Sequence, residues 1–176
     1  MKRPSFRALL LLCALSPWAR SETPSSPWES SLGAGTSFDL LWNGRWDPGF
    51  AAGLMDFKLA RKAERLRLEG GLELGWSAYG WQVLVPLGAG VGLIETPRFR
   101  LDGFATVLPG MLLNRPSPYF LLAGEITARA LWTLRPGRSL GLRFGPRFEW
   151  SPEYDATVGP YRNLGLIARV ELLFGR

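Results

Sequence analysis

Two acidic residues on one segment are the side chains of this sequence most suited to chemistry. Glu69 and Glu73 lie four positions apart in the run ERLRLEGGLELGW at 64–76. Residues an even number of positions apart on a β-strand point to the same face. Two carboxyl groups on one face can share acid–base work, one donating a proton and the other accepting it. The alternative, which we favour, is that both take part in buried ion pairs with bases of neighbouring strands.

The composition weakens the catalytic interpretation. The 176 residues include no His and one Cys, with 47% hydrophobic and 20% charged residues. Without His, the chain lacks the commonest general base and metal ligand. A single Cys excludes an intrachain disulfide and a Cys-based zinc site. The run GAGVG at 88–92 lacks the Lys of a phosphate-binding loop. We therefore expect no catalytic residue, no metal and no cofactor.

The first 21 residues are predicted to be a signal peptide. Bases precede the apolar run ALLLLCAL at 8–15, and Ala19 and Ser21 are small residues at the positions that a cleavage site needs. This run is shorter than the roughly 20 residues of a membrane-spanning helix. A lipid anchor at Cys13 is the alternative, although leucines precede this residue where a lipobox has small residues. The predicted organisation is a signal peptide at 1–21, a linker at 22–30 and one domain at 31–176.

The predicted leader also accounts for most of the basic charge. It contains four of the 21 Lys and Arg residues and no acid, which leaves 17 bases and 15 acids, a net charge of +2. A nucleic-acid-binding domain needs a strongly basic surface. We expect no nucleic-acid partner.

Beyond residue 30, apolar and polar residues alternate in eight segments. In RSLGLRFGPRFEW at 138–150, Leu142 and Phe144 fall on one face and Arg143 and Arg147 on the other. A period of two predicts β-strands, and the widely spread Gly residues disfavour helices. The predicted strands are 31–42, 50–61, 64–76, 81–95, 98–112, 119–134, 138–150 and 164–174. Eight strands with short connections predict an all-β fold, an antiparallel up-and-down barrel.

The composition of the two faces predicts a transmembrane barrel. One face is rich in Leu, Phe and Trp and carries no charge. The interior of an eight-stranded barrel is only just wide enough for side chains to fill it, so these bulky residues must point outward. The other face alternates Gly with acids and bases that nearly cancel, as ion pairs in a narrow interior require. The predicted lumen ion network consists of Lys58, Arg67, Glu69, Glu73, Arg100, Asp102, Glu125, Arg129, Arg143, Arg147, Glu149, Arg169 and Glu171.

Aromatic residues collect near the predicted strand ends. With a periplasmic N-terminus, most lie toward the outer rim and the rest toward the inner rim. Two aromatic girdles around an apolar band are typical of membrane barrels. The predicted girdle residues are Trp42, Trp76, Trp81, Trp132, Trp150 and Phe174.

The connections predict one end of tight turns and one end of longer loops. RKAE, ETPR and RPGR are the predicted inner turns, whereas NGRWDPG, NRPSP and SPEYDATVGPYRN are the predicted outer loops. A three-residue turn centred on Pro136 places Glu125 opposite Arg147. Pro86, Pro109 and Pro146 lie within strands, where a missing N–H predicts a bulge or an early strand end.

These features resemble the small eight-stranded outer-membrane barrels of the OmpA and OmpX type, over about residues 31–176. The resemblance is architectural and includes an aromatic residue, Phe174, near the end of the last strand, although Gly175 and Arg176 follow it. It implies an outer-membrane location, contact with outer-membrane lipid, and insertion by the outer-membrane assembly machinery. The barrel enzymes of this architecture use a His in their sites, so the resemblance implies that this chain is not an enzyme.

Three functions remain open at this point. The first is a structural or interaction barrel with a salt-bridged lumen and short surface loops. The second is a narrow pore for ions or small solutes, and the third is a secreted, soluble, lipocalin-like carrier. The loop at 151–163 is interpreted as a solvated turn, and no surface-loop partner is assigned to it.

Overall fold

The structure, a computed structural model, describes residues 27–77, 80–113, 118–155 and 159–175. The predicted signal peptide lies outside these residues. The strands are β1 (Trp28–Trp42), β2 (Arg45–Ala63), β3 (Leu66–Ser77), β4 (Gly80–Leu84), β5 (Leu87–Glu95), β6 (Phe99–Leu113), β7 (Pro118–Arg135), β8 (Arg138–Asp155) and β9 (Gly159–Gly175). In the part of the chain so described, no helix is long and apolar enough to cross a membrane.

The strands form a closed antiparallel barrel. β4 and β5 both pair with β3 and with β6, so together they make the fourth of eight barrel strands. The barrel closes between the first and last strands, where Ala34 pairs with Val170 of β9 on one side and with Met55 of β2 on the other. The predicted eight-stranded up-and-down barrel is confirmed.

Alternation along the strands separates an apolar exterior from a charged interior. Trp76, Leu142 and Val170 point outward and are 41%, 49% and 51% exposed, whereas Arg143 and Arg169 point inward and are 1% and 2% exposed. A soluble carrier barrel has the reverse arrangement, with an apolar cavity and a polar surface. The lipocalin-like alternative is therefore wrong.

The strands extend further than predicted, and the connections are correspondingly shorter. The predicted outer loop at 43–49 is instead a two-residue turn, because Trp42 pairs with Arg45 around Asn43 and Gly44. Both turn residues have positive φ, 46° and 80°, which a type I′ hairpin requires and Asn-Gly adopts readily. The predicted loop at 151–163 is mostly strand, since β8 continues to Asp155. Polar residues at these ends continue the backbone ladder, so the end of the apolar pattern did not mark the end of the strand.

Two of the three in-strand prolines lie at one interruption of the barrel wall. β4 ends and β5 begins on either side of Pro86, which confirms the strand end predicted there. Pro109 stays in register opposite Leu122 and β6 continues past it, so the bulge or early strand end predicted at Pro109 is wrong. Its carbonyl accepts a hydrogen bond from the N–H of Val85. Because a residue's N–H and C=O point to the same neighbour in an antiparallel ladder, the missing N–H of Pro109 faces the interruption.

Pro146 is also accommodated without a bulge or a strand end, so the prediction at this residue is wrong as well. Pro146 lies in register opposite Leu166 of β9. On the other side, the ladder between β7 and β8 has no pairing at Ile126 and Thr127, yet the register is the same before and after this gap. The missing donor thus removes local pairing and leaves the strand alignment unchanged.

The turn between β7 and β8 sets the predicted register by a different route. It is a two-residue turn at Pro136 and Gly137, whose φ is 74°, and a register shift follows between Thr133 and Arg135. The turn and the shift together place Glu125 opposite Arg147. The predicted register is confirmed, although the predicted three-residue turn is not.

Candidate functional site

The candidate site is the charged interior of the barrel, which we call the bore. All thirteen residues of the predicted ion network point into it because they share one phase of their strands. Twelve are at most 5% exposed. The exception, Arg100, lies at one mouth of the bore, with 14% of its side chain exposed.

The first half of the network is centred on Arg143 of β8. Its guanidinium donates two hydrogen bonds of 2.6 Å to the carboxylate of Glu69, and its Nε lies 2.8 Å from Glu171. Next to it, Arg129 Nη2 lies 2.9 Å from Asp102, which also accepts a 2.8 Å bond from Arg67. Every one of these charges is buried, so each needs its partner to offset the loss of water.

The second half is centred on Arg147 and Arg169. Arg147 donates hydrogen bonds of 2.7 Å to Glu73, 2.9 Å to Glu125 and 2.7 Å to Glu149. Arg169 donates to Glu125 at 2.7 and 2.9 Å and also binds Glu73. The predicted pair of Glu125 and Arg147 is therefore confirmed as a direct contact.

Lys58 of β2 connects the two halves. Its Nζ lies 3.2 Å from Asp56 and 3.4 Å from Glu171. Asp56 in turn lies 3.3 Å from the Nε of Arg169. The buried charges thus form one continuous network along the bore.

An aromatic residue that sequence reasoning missed lies within the first half. Phe104 of β6 is 3% exposed, and the guanidinium carbons of Arg129 and Arg143 lie 4.5 and 4.6 Å from its ring centroid. A side chain at Gly90 would meet the ring at 2.5 Å. Gly90, within the run GAGVG, therefore makes room for the Phe104 ring. Phe104 is two positions from Asp102, and that shared phase was the signal for its inward direction.

Two apolar clusters also occupy the bore, between the ion network and the end of the barrel that carries the turn at Asn43 and Gly44. The prediction of a charged interior did not include them. Their residues lie on the same strand faces as the charged residues. Leu108, for example, is six positions from Asp102 on β6 and therefore also points inward. The clusters consist of Leu84, Leu108, Leu121 and Ala123, and of Ala52, Leu54 and Ile167.

Glu29 and Arg100 close the mouth at the other end of the bore. Two hydrogen bonds of 2.6 and 2.8 Å join them, and Arg100 Nε donates a 3.0 Å bond to Asp102. Glu29 was predicted to belong to a linker, but β1 begins at Trp28 because its residues pair with the end of β2. The first strand therefore contributes a carboxylate that sequence reasoning had not placed in the bore.

Most predicted girdle residues lie on the outside near the strand ends. Trp76 and Trp81 flank one turn with ring centroids 6.4 Å apart, and Trp132 lies 5.6 Å from Phe99 near the opposite end. Trp150 is partly exposed on β8, and Phe174 is partly exposed near the end of β9. The side chain of Trp42 lies outside the described residues. Sequence reasoning missed two exposed members, Trp28 and Trp46.

The geometry offers little to acid–base catalysis. The carboxylates of Glu69 and Glu73 are each bound by a guanidinium and buried, so a substrate would have to displace an arginine to reach them. Within the described ranges, no group of three or more His, Cys, Asp and Glu residues is arranged to hold a metal ion. The arrangement is suited to bracing the barrel and filling its interior.

Comparison with known proteins places this fold. No protein-family model and no curated protein matches the sequence. Among solved structures, Neisserial surface protein A matches with 12% identity and a TM-score of 0.55, over 85% of this chain and 98% of that one. The N-terminal β-barrel domain of Pseudomonas aeruginosa OprF matches with 12% identity and a TM-score of 0.50, over 84% and 98%. The chain has the fold of the eight-stranded outer-membrane β-barrels. The resemblance to this architecture expected from the sequence is confirmed.

Proposed function

We propose that the protein is an integral outer-membrane β-barrel with a structural or interaction role, anchored by its apolar exterior and closed by its ion network. One observation carries the proposal: the exterior is apolar, while a continuous network of buried ion pairs crosses the bore. The expected signal peptide and outer-membrane assembly machinery fit this location.

The exterior supports anchoring in lipid. Large apolar side chains on every barrel strand are exposed, among them Leu32, Met55, Leu72, Ile126 and Phe144 at 45–70%. The hydrocarbon core of a bilayer does not tolerate unpaired strand edges. Closure of the sheet into a barrel removes these edges. Such a surface is unstable in water and stable in a membrane.

The contents of the bore favour a closed, non-conducting barrel rather than a pore. Arg129, Arg143, Arg147 and Arg169 are at most 2% exposed and bridge acids on other strands. The apolar clusters lie in series with this network, and apolar constrictions oppose the passage of hydrated ions. An ion crossing the bore would have to break several buried ion pairs.

Two measurements test the proposal. The full chain is expected in the outer-membrane fraction, released by detergent, with an unboiled band that migrates differently from the boiled one. In planar bilayers the refolded protein is expected to give no steady conductance.

A steady ohmic current would favour the narrow-pore alternative, and neutralising Arg143 and Arg147 should then change its ion selectivity. Recovery in a soluble fraction without detergent would contradict the membrane location itself.

A further inference from the structure

Four outward-facing residues form a continuous patch where the first and last strands close the barrel. Trp28 pairs with Arg61 of β2, and Phe174 of β9 pairs with Arg138 of β8. β1 and β9 are neighbours, with Ser30 opposite Phe174. We call Trp28, Arg61, Arg138 and Phe174 the seam patch.

Both arginines of the seam patch rest on aromatic rings. The guanidinium carbon of Arg61 lies 5.8 Å from the Trp28 ring centroid, and that of Arg138 lies 5.9 Å from the Phe174 ring centroid. Stacking uses the face of a guanidinium and leaves its in-plane N–H donors available. Within the described residues, neither arginine forms an ion pair, so both are charged donors held at the rim.

The end of the barrel that carries the seam patch is strongly basic. Its three turns, at 61–65, 95–98 and 135–138, contain six bases and two acids. The segments at and beside the four turns of the other end, 43–49, 77–80, 114–118 and 151–163, contain three bases and three acids. The excess of positive charge is therefore confined to one rim.

The seam patch continues directly into the apolar exterior. Leu32, Leu59 and Val170 lie further along the same strands, outward-facing, at 54%, 50% and 51% exposure. A ligand that fits both regions has an anionic headgroup next to hydrocarbon chains. A soluble anion would contact only the arginines and would leave the adjacent apolar surface uncovered.

We propose that the seam patch binds the phosphate of an anionic phospholipid, with the acyl chains lying on the adjacent apolar surface. This inference rests on the proposed membrane location. Arg61 and Arg138 supply the donors, and the aromatic rings hold them at the level where headgroups meet hydrocarbon. Each basic residue at this level should increase the affinity for an anionic lipid about fivefold.

The test is a lipid titration of the purified full chain in a neutral detergent micelle. Phosphatidylglycerol or phosphatidylcholine is added, and bound lipid is counted by native mass spectrometry. The Arg61→Gln/Arg138→Gln variant should bind phosphatidylglycerol about thirtyfold more weakly than the wild type. The matched control, Arg45→Gln/Arg162→Gln, removes two exposed arginines from the opposite end and should leave the affinity within about twofold.

Three outcomes would overturn the inference. These are equal binding of the two lipids by the wild type, an unchanged affinity in the seam variant, and displacement of the lipid by an equal concentration of inorganic phosphate. Heat-dependent gel mobility of the same samples shows whether the barrel has formed. It therefore distinguishes loss of the lipid site from failure of the proposed membrane-barrel function. A chain that forms a barrel without selecting phosphatidylglycerol refutes the lipid site alone.

Discussion

Arg143 and Glu69 meet across the bore through two parallel hydrogen bonds of 2.6 Å. They belong to β8 and β3, which share no backbone ladder. The pair therefore joins parts of the wall that the sheet itself does not connect. Since both charges are buried, the contact constrains the cross-section of the barrel as well as its charge balance.

Removing the charge of Glu69 is expected to destabilise the barrel strongly. Glu69→Gln leaves the buried guanidinium of Arg143 without its main partner, a loss of about 3–5 kcal/mol in the free energy of unfolding. Urea unfolding from detergent micelles, followed by tryptophan fluorescence, measures the change. The control is Glu95→Gln, because the side chain of Glu95 is 48% exposed and such ion pairs contribute about 0–1 kcal/mol. Equal losses in the two variants would contradict the bracing role.

A charge on the exterior should cost most at mid-height. Val170→Arg places a base on the lipid side in the middle of β9, where about 2–4 kcal/mol is expected. Leu134→Arg, at an equally outward position beside the turn at Pro136, should cost about 0–1 kcal/mol. Both values come from urea unfolding in phospholipid vesicles. A barrel that is not surrounded by lipid would tolerate the two substitutions equally.

Phe104 should contribute more than its size suggests. Phe104→Leu removes the ring on which two guanidiniums rest, and each such contact is worth about 0.5–2 kcal/mol. The comparison is Phe144→Leu, where the ring is 56% exposed on the outside. Thermal unfolding of the two variants in the same detergent should give the larger decrease in midpoint for Phe104→Leu. The opposite order would show that the ring is merely filling space.

Gly145 permits a close approach between β7 and β8. A Cβ at this position would lie 2.0 Å from the carbonyl oxygen of Ile126 and 2.8 Å from the Cα of Thr127, so the backbone would have to move. Gly145→Ala should reduce the yield of the folded, heat-modifiable band. Gly124→Ala on the facing strand is the matched control, since its Cβ would meet nothing closer than 4.0 Å. Similar folding yields for the two variants would refute this packing constraint.

The sequence predicted the strands, their direction and their inner faces because charge and bulk alternate so regularly. At Arg143, Arg147 and Arg169 a period of two and the narrowness of the bore were enough to place the side chains inside. The predicted register of Glu125 opposite Arg147 was also correct, although the turn that was expected to set it differs in length and is followed by a register shift. Each of these inferences used only local spacing.

Sequence reasoning missed features at positions where the two faces of a strand do not differ in composition, or where the contact partner is distant along the chain. Leu108 and Ile167 occupy inward positions where both faces of the strand are apolar, so composition could not separate inside from outside. The partner of each charge was equally hidden, because pairs such as Arg143 with Glu69 join strands that are distant along the chain. The start of β1 and the end of β8 carry polar residues of the kind that is common in loops, so these strands were predicted too short.

Closure through β1 and β9 has a kinetic consequence. Thirteen residues of β1, from Glu29 to Trp42, pair with β9, so the first strand to emerge from the ribosome waits for the last. Contacts this remote in sequence fold slowly, and until they form, both terminal strands expose edges that can join other chains. Completion of the cylinder therefore depends on the segment that is made last and comes late in folding.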